Sequence, residues 1–395
     1  MNNCAIICEY NPFHSGHKYQ LDVVRAHDAS NIVCVMSGQF VQSATPAFCD
    51  KALRAECAII GGADAVIELP AAYATASAQA FAEGAIKIIA AINNADTLAM
   101  SATADAEVIK RIADIKIADK VEFKRVLTQN MKSGKSYNAA STAALSELFA
   151  RKHPDRAYGV DDVLTEPNNI LCIEYLTALA TYAPHIEPLI IARRGALHGS
   201  AELDAEHISA TAIRTASDDG RFQAVSKYLP CRADKISEFR KNHAPDTELY
   251  KNIAVFALKC KDLNAIARLR DCSEGMEYLL KSVAHLYSFD EYLSAAVGKR
   301  YGKKRVYRLF LDAVLGIEKG LTDCGFCTRL LACKKTFDFS ILPACVKTNN
   351  ADIKAAASAD AQVARVLAVD EKAVALYNTL CRIDGDYYNY SLVKI

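Results

Sequence analysis

The stretch EYNPFHSGH, Glu9 to His17, decides the fold of this 395-residue chain. An apolar, β-prone segment, Ala5 to Cys8, precedes it, and a segment with helically spaced apolar residues follows it. The pattern predicts a strand, a tight turn and the N-terminus of a helix. Free main-chain N–H groups and the positive end of the helix dipole make such a turn a site for phosphate groups.

Two histidines in this turn, His14 and His17, are suited to phosphate chemistry. Their imidazoles can stabilise the charge that builds on the α-phosphate of a nucleoside triphosphate as pyrophosphate leaves. Gly16 lets the backbone approach the phosphates because it has no Cβ. The alternative is an ordinary polar helix start, since two histidines three residues apart also occur by chance. Their position directly after the first predicted strand favours the functional interpretation, because open α/β sheets bind ligands there.

Strands and amphipathic helices alternate through the first half of the chain. Besides the first strand, strands are predicted at Asn31–Met36, Ala65–Leu69, Thr97–Met100 and Pro188–Ala192. This alternation predicts a parallel sheet with helices on both faces. After Gly220 strand signals become rare. We therefore expect an α/β fold with a Rossmann-like parallel-sheet domain at residues 1–218, followed by a mainly helical, basic domain at residues 219–395.

Composition narrows the class of protein. The chain begins without a signal sequence, and no apolar run approaches the roughly 20 residues needed to span a bilayer. Its 14 cysteines are scattered, as expected for reduced, buried thiols in a cytoplasmic protein without membrane contact. Residues 221–395 carry 28 Lys and Arg against 20 Asp and Glu, while the whole chain carries 47 against 46. The second half is therefore expected to meet a polyanion.

A second phosphate-binding segment is ISATAIR, residues 208–214. Main-chain amides at its predicted helix start, the hydroxyls of Ser209 and Thr211, and the Arg214 guanidinium could hold the β- and γ-phosphates. The alternative is a plain helix cap with an exposed arginine. The HxGH turn upstream favours phosphate binding.

The basic half contains one dense run, GKRYGKKRVYRLFLDAVLG, residues 298–316. Its cations can reach RNA phosphates, and its tyrosines can stack on unpaired bases. A solvated helix face is the alternative, but no acidic residue occurs between Gly298 and Leu311. The residues predicted to bind tRNA are Lys299, Arg300, Tyr301, Lys303, Lys304, Arg305 and Arg308.

These motifs together resemble one family. EYNPFHSGH, MSGQFVQ (residues 36–42), DKALR (50–54), ADAVIELP (63–70), PNNIL (167–171) and ISATAIR resemble the tRNA(Met) cytidine acetate ligases, bacterial members of the HxGH nucleotidyltransferase superfamily. The resemblance implies that ATP activates acetate as acetyl-adenylate. The acetyl group then passes to the exocyclic amine of the wobble cytidine in the anticodon loop of elongator tRNA(Met). Mg²⁺ is expected to accompany ATP, held mainly by its phosphates.

The resemblance also implies site residues. His14 and His17 would be the catalytic residues, and Lys51 and Arg54 match a basic pair near the site. The nucleotide would be bound by Ile7, Cys8, Glu9, Tyr10, Asn11, Pro12, Phe13, His14, Ser15, Gly16, His17, Lys18, Tyr19, Gln20, Ser101, Asn168 or Asn169, Arg193 or Arg194, Ser209, Thr211 and Arg214.

Several positions depart from the family pattern. Ser101 replaces the usual glycine after the fourth strand, Ala52 replaces a tryptophan, and Leu197-His198-Gly199 replaces Tyr-His-Asp. Ser43-Ala44-Thr45 stands where the family usually has Arg-Gly-Glu. The motifs expected to bind ATP are therefore kept. The departures bear on the identity of the acyl group and of the target RNA, in which this chain could differ from the family.

Some alternatives stay open. Cys324, Cys327, Cys333 and Cys345 include one CxxC pair without a matching second pair, so no protein-bound metal and no zinc is expected. Glu9 is either a general base for the cytidine amine or a strand-end carboxylate bonded to the backbone. The whole chain could instead be a nucleotidyltransferase acting on a small phosphorylated metabolite, or an RNA-binding protein with a decayed nucleotide site.

Overall fold

A computed structural model describes residues 2–154, 159–193, 208–298 and 300–395. In this part of the chain eight strands form one sheet: β1 (Asn3–Cys8), β2 (Asn31–Ser37), β3 (Ala65–Leu69), β4 (Ala95–Ala102), β5 (Glu187–Ala192), β6 (Thr328–Cys333), β7 (Val346–Lys347) and β8 (Val393–Lys394). The first five confirm the strands that the sequence predicts, each within two residues at either end.

Helices surround this sheet and build the second half. They are α1 (Ser15–Ala26), α2 (Lys51–Gly61), α3 (Ala71–Ala74), α4 (Ala78–Ala90), α5 (Ala106–Ile117), α6 (Lys120–Lys132), α7 (Tyr137–Lys152), α8 (Val160–Thr165), α9 (Pro167–Tyr182), α10 (Ala210–Asp218), α11 (Phe222–Val225), α12 (Ala233–His243), α13 (Thr247–Lys259), α14 (Leu263–Arg268), α15 (Met276–Ser282), α16 (Phe289–Ala296), α17 (Lys303–Leu315), α18 (Asn350–Ala359) and α19 (Ala361–Cys381). No helix in the described ranges combines the length and apolar character needed to cross a membrane.

The strand order is β5-β4-β1-β2-β3-β6-β7, with β8 also paired to β6. Strands β1 to β5 are parallel to one another. The chain proceeds from β1 to β2 and β3 on one side and returns to β4 and β5 on the other, so the order reverses between β1 and β4. Ligands of open α/β sheets bind at the carboxyl ends of the strands beside such a reversal.

The sheet is buried on both faces. Val33, Val35 and Ile67 pack into the cluster under α4 and α9, whereas the alternate residues Cys34 and Met36 pack into the cluster that includes α1 and α2. This arrangement explains why the strands are continuous apolar runs, because successive side chains point to opposite faces and both faces are covered. The predicted α/β fold class is confirmed.

The second half is mainly helical, as predicted, but it also extends the sheet. Strand β6 pairs antiparallel with β3, joining Ala65 to Cys333 and Val66 to Ala332. The Arg270 side chain adds a second connection between the two halves, since its guanidinium donates to the main-chain oxygens of Ala72 and Thr75. The boundary near residue 218 stays a prediction, and residues on both sides of it share one sheet.

Candidate active site

A cleft of about 430 Å³ lies at the carboxyl ends of β1, β2, β4 and β5, next to the reversal in strand order. This volume is in the range of ligand sites for small molecules and cofactors. The predicted residues that line it are Ile7, Cys8, Glu9, Tyr10, Asn11, His14, Gly16, His17, Tyr19, Gln20, Ser101, Asn168, Arg193, Ser209, Thr211 and Arg214. The structure thus brings the HxGH turn and the ISATAIR segment to one place.

His14 is the N-cap residue of α1. Its Nδ1 accepts a hydrogen bond from Gly16 N–H at 3.1 Å, so the side chain satisfies one of the main-chain donors left open at the helix start. An Nδ1 that accepts this bond carries no proton, and the neutral ring must therefore carry its proton on Nε2. The cap fixes the tautomer that offers an Nε2–H donor.

The His17 ring, one turn later, is fixed by the same kind of hydrogen bond. Its Nδ1 accepts from His14 N–H at 3.3 Å, which again leaves the proton on Nε2. The His14 and His17 rings stack with centroids 3.7 Å apart, and the Tyr10 ring lies 4.8 Å from that of His17. Burial and the charge of Arg193 lower the pKa of His17 to about 3. The ring is neutral at pH 7 and offers a hydrogen-bond donor without a positive charge.

Two glycines allow this close packing. A Cβ on Gly16 would lie 3.0 Å from His14 Cε1, so a larger residue there would displace the capping ring. A Cβ on Gly61 would lie 2.4 Å from Phe13 Cζ, so the glycine of α2 admits the Phe13 ring against the helix. Phe13 is buried and lies outside the cleft lining.

The start of α10 forms the second wall. Ser209 is its N-cap and accepts from Ala212 N–H at 3.0 Å. Arg214 donates from Nη1 to Asn11 O at 2.7 Å and from Nη2 to Thr211 Oγ1 at 3.0 Å. Burial lowers the pKa of Arg214, opposed by the carboxylates of Glu9 and Asp218. Arg214 therefore joins the HxGH turn to the ISATAIR segment and adds positive charge between them.

The other residues that the resemblance implies for nucleotide binding, from β4 onward, divide into three groups. Asn168 lines the cleft together with Ser101 and Arg193. Asn169 lies buried beneath it, where its Oδ1 accepts from Thr103 N–H at 2.9 Å and thereby shapes the turn after β4. Arg194, like the departure at 197–199, lies outside the described residues.

Lys51 and Arg54 lie beside the cleft without lining it. Lys51 Nζ donates to both carboxylate oxygens of Glu68, at 2.6 and 2.8 Å, and is buried. Arg54 is only 1% exposed, and its guanidinium donates to Glu9 O at 2.6 Å, Cys49 O at 3.0 Å, Ser37 O at 3.1 Å and Gly38 O. Arg54 thus holds the loops after β1 and β2, and Lys51 ties the start of α2 to β3, so both lie near the site, as the resemblance implies, in positioning roles.

The loop after β2 supplies lining residues that the sequence analysis missed, namely Val41, Gln42, Ser43, Thr45 and Pro46. Glu9 Oε1 accepts from Gln42 N–H at 2.7 Å, which ties this loop to the HxGH turn. Ala44 adopts φ 60°, the left-handed region that favours glycine, and its carbonyl accepts from Tyr250 Oη at 2.7 Å. The SGQFVQ motif directly after a predicted strand was the available signal.

The basic run separates into two groups. Tyr301 is buried, with its hydroxyl donating to Glu274 O at 2.7 Å, while Arg305 Nε donates to Asp271 O at 2.9 Å. Arg308 forms an ion pair with Asp271. These three side chains anchor α17 within the protein, which differs from the exposed RNA surface that the sequence predicted for them. Arg300, Lys303 and Lys304 are exposed, although Arg300 precedes the helix, and Lys299 lies outside the described residues.

The cysteines are free thiols, and most are buried. Of the four that raised the question of zinc, Cys327 and Cys333 lie in or beside β6, and burial raises their pKa. Within the described ranges no group of three or more His, Cys, Asp or Glu side chains could hold a metal ion.

Comparison with known proteins agrees with this geometry. The family model HIGH Nucleotidyl Transferase matches residues 1–388. A tRNA(Met) cytidine acetate ligase of Caldanaerobacter subterraneus subsp. tengcongensis is 35% identical over 327 residues, which are 81% of this chain and 80% of the relative. The apo crystal structure of Thermotoga maritima TmcAL matches with a TM-score of 0.90 at 25% identity, and its form bound with alpha-thio ATP with 0.87 at 25% identity. Both comparisons cover 100% of each chain.

Proposed function

The chain belongs to the tRNA(Met) cytidine acetate ligase family of HIGH nucleotidyl transferases, and on this basis we propose that it acetylates a tRNA cytidine in the cleft described above. It is an ATP-dependent ligase. In the first step a carboxylate oxygen of acetate bonds to the α-phosphorus of ATP as the bond to pyrophosphate breaks. In the second step the exocyclic amine of the wobble cytidine in elongator tRNA(Met) bonds to the acetyl carbon, and AMP leaves.

One observation carries the proposal: two phosphate-binding helix starts and two neutral imidazoles meet in a single cleft. His14 and His17 at the start of α1, and Ser209, Thr211 and Arg214 of the start of α10, line this one cleft, which supports a triphosphate site there. Catalysis of the first step needs positioning and stabilisation of charge on the phosphates, and it needs no covalent nucleophile on the protein. The cleft supplies those two requirements.

The remaining parts of the proposal follow from substrate chemistry. Mg²⁺ would be held mainly by the phosphates, because Glu9 is the one carboxylate among the described lining residues. The target base is proposed to be in the anticodon loop, where unpaired bases are accessible. We also propose a cytoplasmic location, since tRNA and ATP are available there.

Incubation of the protein with ATP and labelled acetate, with and without elongator tRNA(Met), tests the function. We expect ATP-dependent incorporation of label into the RNA, at the wobble cytidine. Adenylyl transfer to a phosphorylated metabolite, with no label in RNA, would favour the rival nucleotidyltransferase. If ATP neither stabilises the protein in a thermal melt nor supports incorporation, the site has decayed.

The exposed cations before and at the start of α17 are proposed to contact tRNA phosphates. Arg300→Glu combined with Lys303→Glu should weaken tRNA binding about tenfold near 0.1 M salt and lower the slope of log affinity against log salt by about two, because each phosphate contact releases counterions. ATP binding should stay unchanged. Filter-binding titrations at several salt concentrations measure this.

Lys110→Glu combined with Lys120→Glu is the matched control for net charge. Both lysines are exposed and lie in the first half, on α5 and at the start of α6. An equal loss of tRNA affinity in this control would mean that the effect of the first pair is general electrostatics, and would remove the start of α17 from the RNA surface.

A further inference from the structure

Lys304 differs from the other cations of the basic run because its side chain lines the nucleotide cleft. It is exposed, and among the described residues no carboxylate lies within ion-pair distance of it. Arg305 and Arg308, in contrast, are paired with Glu274 and Asp271. A cation without a partner at the rim of a cleft is available to an anionic ligand.

The fold fixes Lys304 in this place. The paired arginines hold the first turns of α17, and α17 packs on α13 in one apolar cluster. From α13, Tyr250 donates to the carbonyl of Ala44 in the loop after β2. The helical half therefore holds Lys304 in the cleft lining and also contacts the loop after β2.

Lys304 acts electrostatically on Glu9, which also lines the cleft. Burial raises the pKa of Glu9, and the N–H of Gln42 and the positive charges nearby oppose that rise. Lys304 is one of those charges, together with Arg214 and Arg54. Glu9 thus lies in the field of Arg214 on α10 and of Lys304 on α17.

The β2 side also offers apolar walls. Val41 and Pro46 line the cleft there, and Val41 is buried. A single ammonium beside small apolar walls has the composition expected of a subsite for a small carboxylate, whose charge needs the cation and whose methyl group needs the walls. His14 and His17 lie at the start of α1 and Arg193 directly follows β5, so the proposed phosphate ligands come from other elements than this part of the lining.

We propose that Lys304 binds the carboxylate of acetate and brings it to the α-phosphorus of ATP. This inference rests on the proposed function and adds the acyl-donor subsite to it. Acetate and the α-phosphate are both anions, and a cation in the cleft lining offsets their repulsion during approach. One carboxylate oxygen forms the new bond to phosphorus while the bond to pyrophosphate breaks, and Lys304 holds the other oxygen.

Acetate-dependent exchange of pyrophosphate into ATP, measured without tRNA, tests this assignment. Lys304→Met should raise the KM for acetate about tenfold or more and leave the KM for ATP within about twofold, and Lys304→Arg should restore most of the acetate affinity. Lys110→Met is the matched control, because Lys110 is an exposed lysine on α5 outside the cleft lining, and the KM of this variant for acetate should equal that of the unaltered protein.

The outcomes separate the inference from the proposed function. If Lys304→Met exchanges pyrophosphate with an unchanged KM for acetate and loses only tRNA affinity, Lys304 contacts RNA phosphate and the inference is overturned. If the unaltered protein neither exchanges pyrophosphate in response to acetate nor labels tRNA, the proposed function itself is overturned. Because the Lys304 side chain is exposed, the thermal melt of each Lys304 variant should match that of the unaltered protein.

Discussion

His14→Ala and His17→Ala should each lower the rate of acetyl-adenylate formation by roughly 10²- to 10³-fold, the usual effect of removing one preorganised donor to a developing charge. Both rings carry their available proton on Nε2, because Nδ1 of each accepts a main-chain N–H. We therefore propose that the rings donate hydrogen bonds to phosphate oxygens as pyrophosphate leaves. Acetate-dependent pyrophosphate exchange measures the loss, and tRNA affinity should stay near that of the unaltered protein.

His14 needs a variant that separates capping from catalysis. Alanine also removes the N-cap of α1, which costs about 1 kcal/mol of helix stability. His14→Asn keeps a side-chain acceptor suited to the cap but has no donor at the place of Nε2–H. We expect His14→Asn to melt near the unaltered protein and to be as inactive as His14→Ala. His185→Ala, at an exposed histidine outside the cleft lining, is the control. Full activity in His14→Asn would show that the ring acts only as a cap.

Arg54→Met should lower the free energy of unfolding by about 3–5 kcal/mol, the range for breaking a buried, hydrogen-bonded charge. The Arg54 guanidinium is 1% exposed and donates to carbonyl oxygens of the loops after β1 and β2. Methionine would leave those buried carbonyls without partners, each at a cost of about 1–3 kcal/mol. Arg54→Lys should also destabilise, because one ammonium cannot replace the planar fork of donors. Denaturant unfolding followed by circular dichroism measures both.

An exposed arginine provides the comparison for Arg54. Arg125 is paired with Glu122 on the surface of α6, and Arg125→Met should change stability by about 0.5 kcal/mol or less. An Arg54→Met protein that is as stable as this control but inactive would contradict the positioning role. That result would instead make Arg54 a residue that contacts the substrates directly.

The spacing of apolar and capping residues predicted the strands and helix starts that depend on residues close together in the chain. The apolar runs at Ala5–Cys8 and Asn31–Met36 are strands because both faces of the sheet are covered, and the turn with His14 starts a helix as its spacing indicated. The ISATAIR segment begins α10 with Ser209 as the N-cap, also as expected. These features depend on residues close in sequence.

Features that depend on distant contacts could not be predicted in the same way. Strand β6 pairs with Ala65 and Val66 across more than 250 residues, and only the folded chain brings them together. Arg54 looked like an active-site cation, but the carbonyls that bury it come from two separate loops. Lys304 belonged to a run of similar charges, and nothing in that run distinguished the one that reaches the cleft.

A crystal structure with a non-hydrolysable ATP analogue tests the central claim most directly. The account predicts that phosphate oxygens lie about 3 Å from Nε2 of His14 and of His17, with the tail of the triphosphate against the start of α10 and Arg214. An analogue whose phosphates lie away from the HxGH turn, with both imidazoles left in contact with solvent, would contradict it.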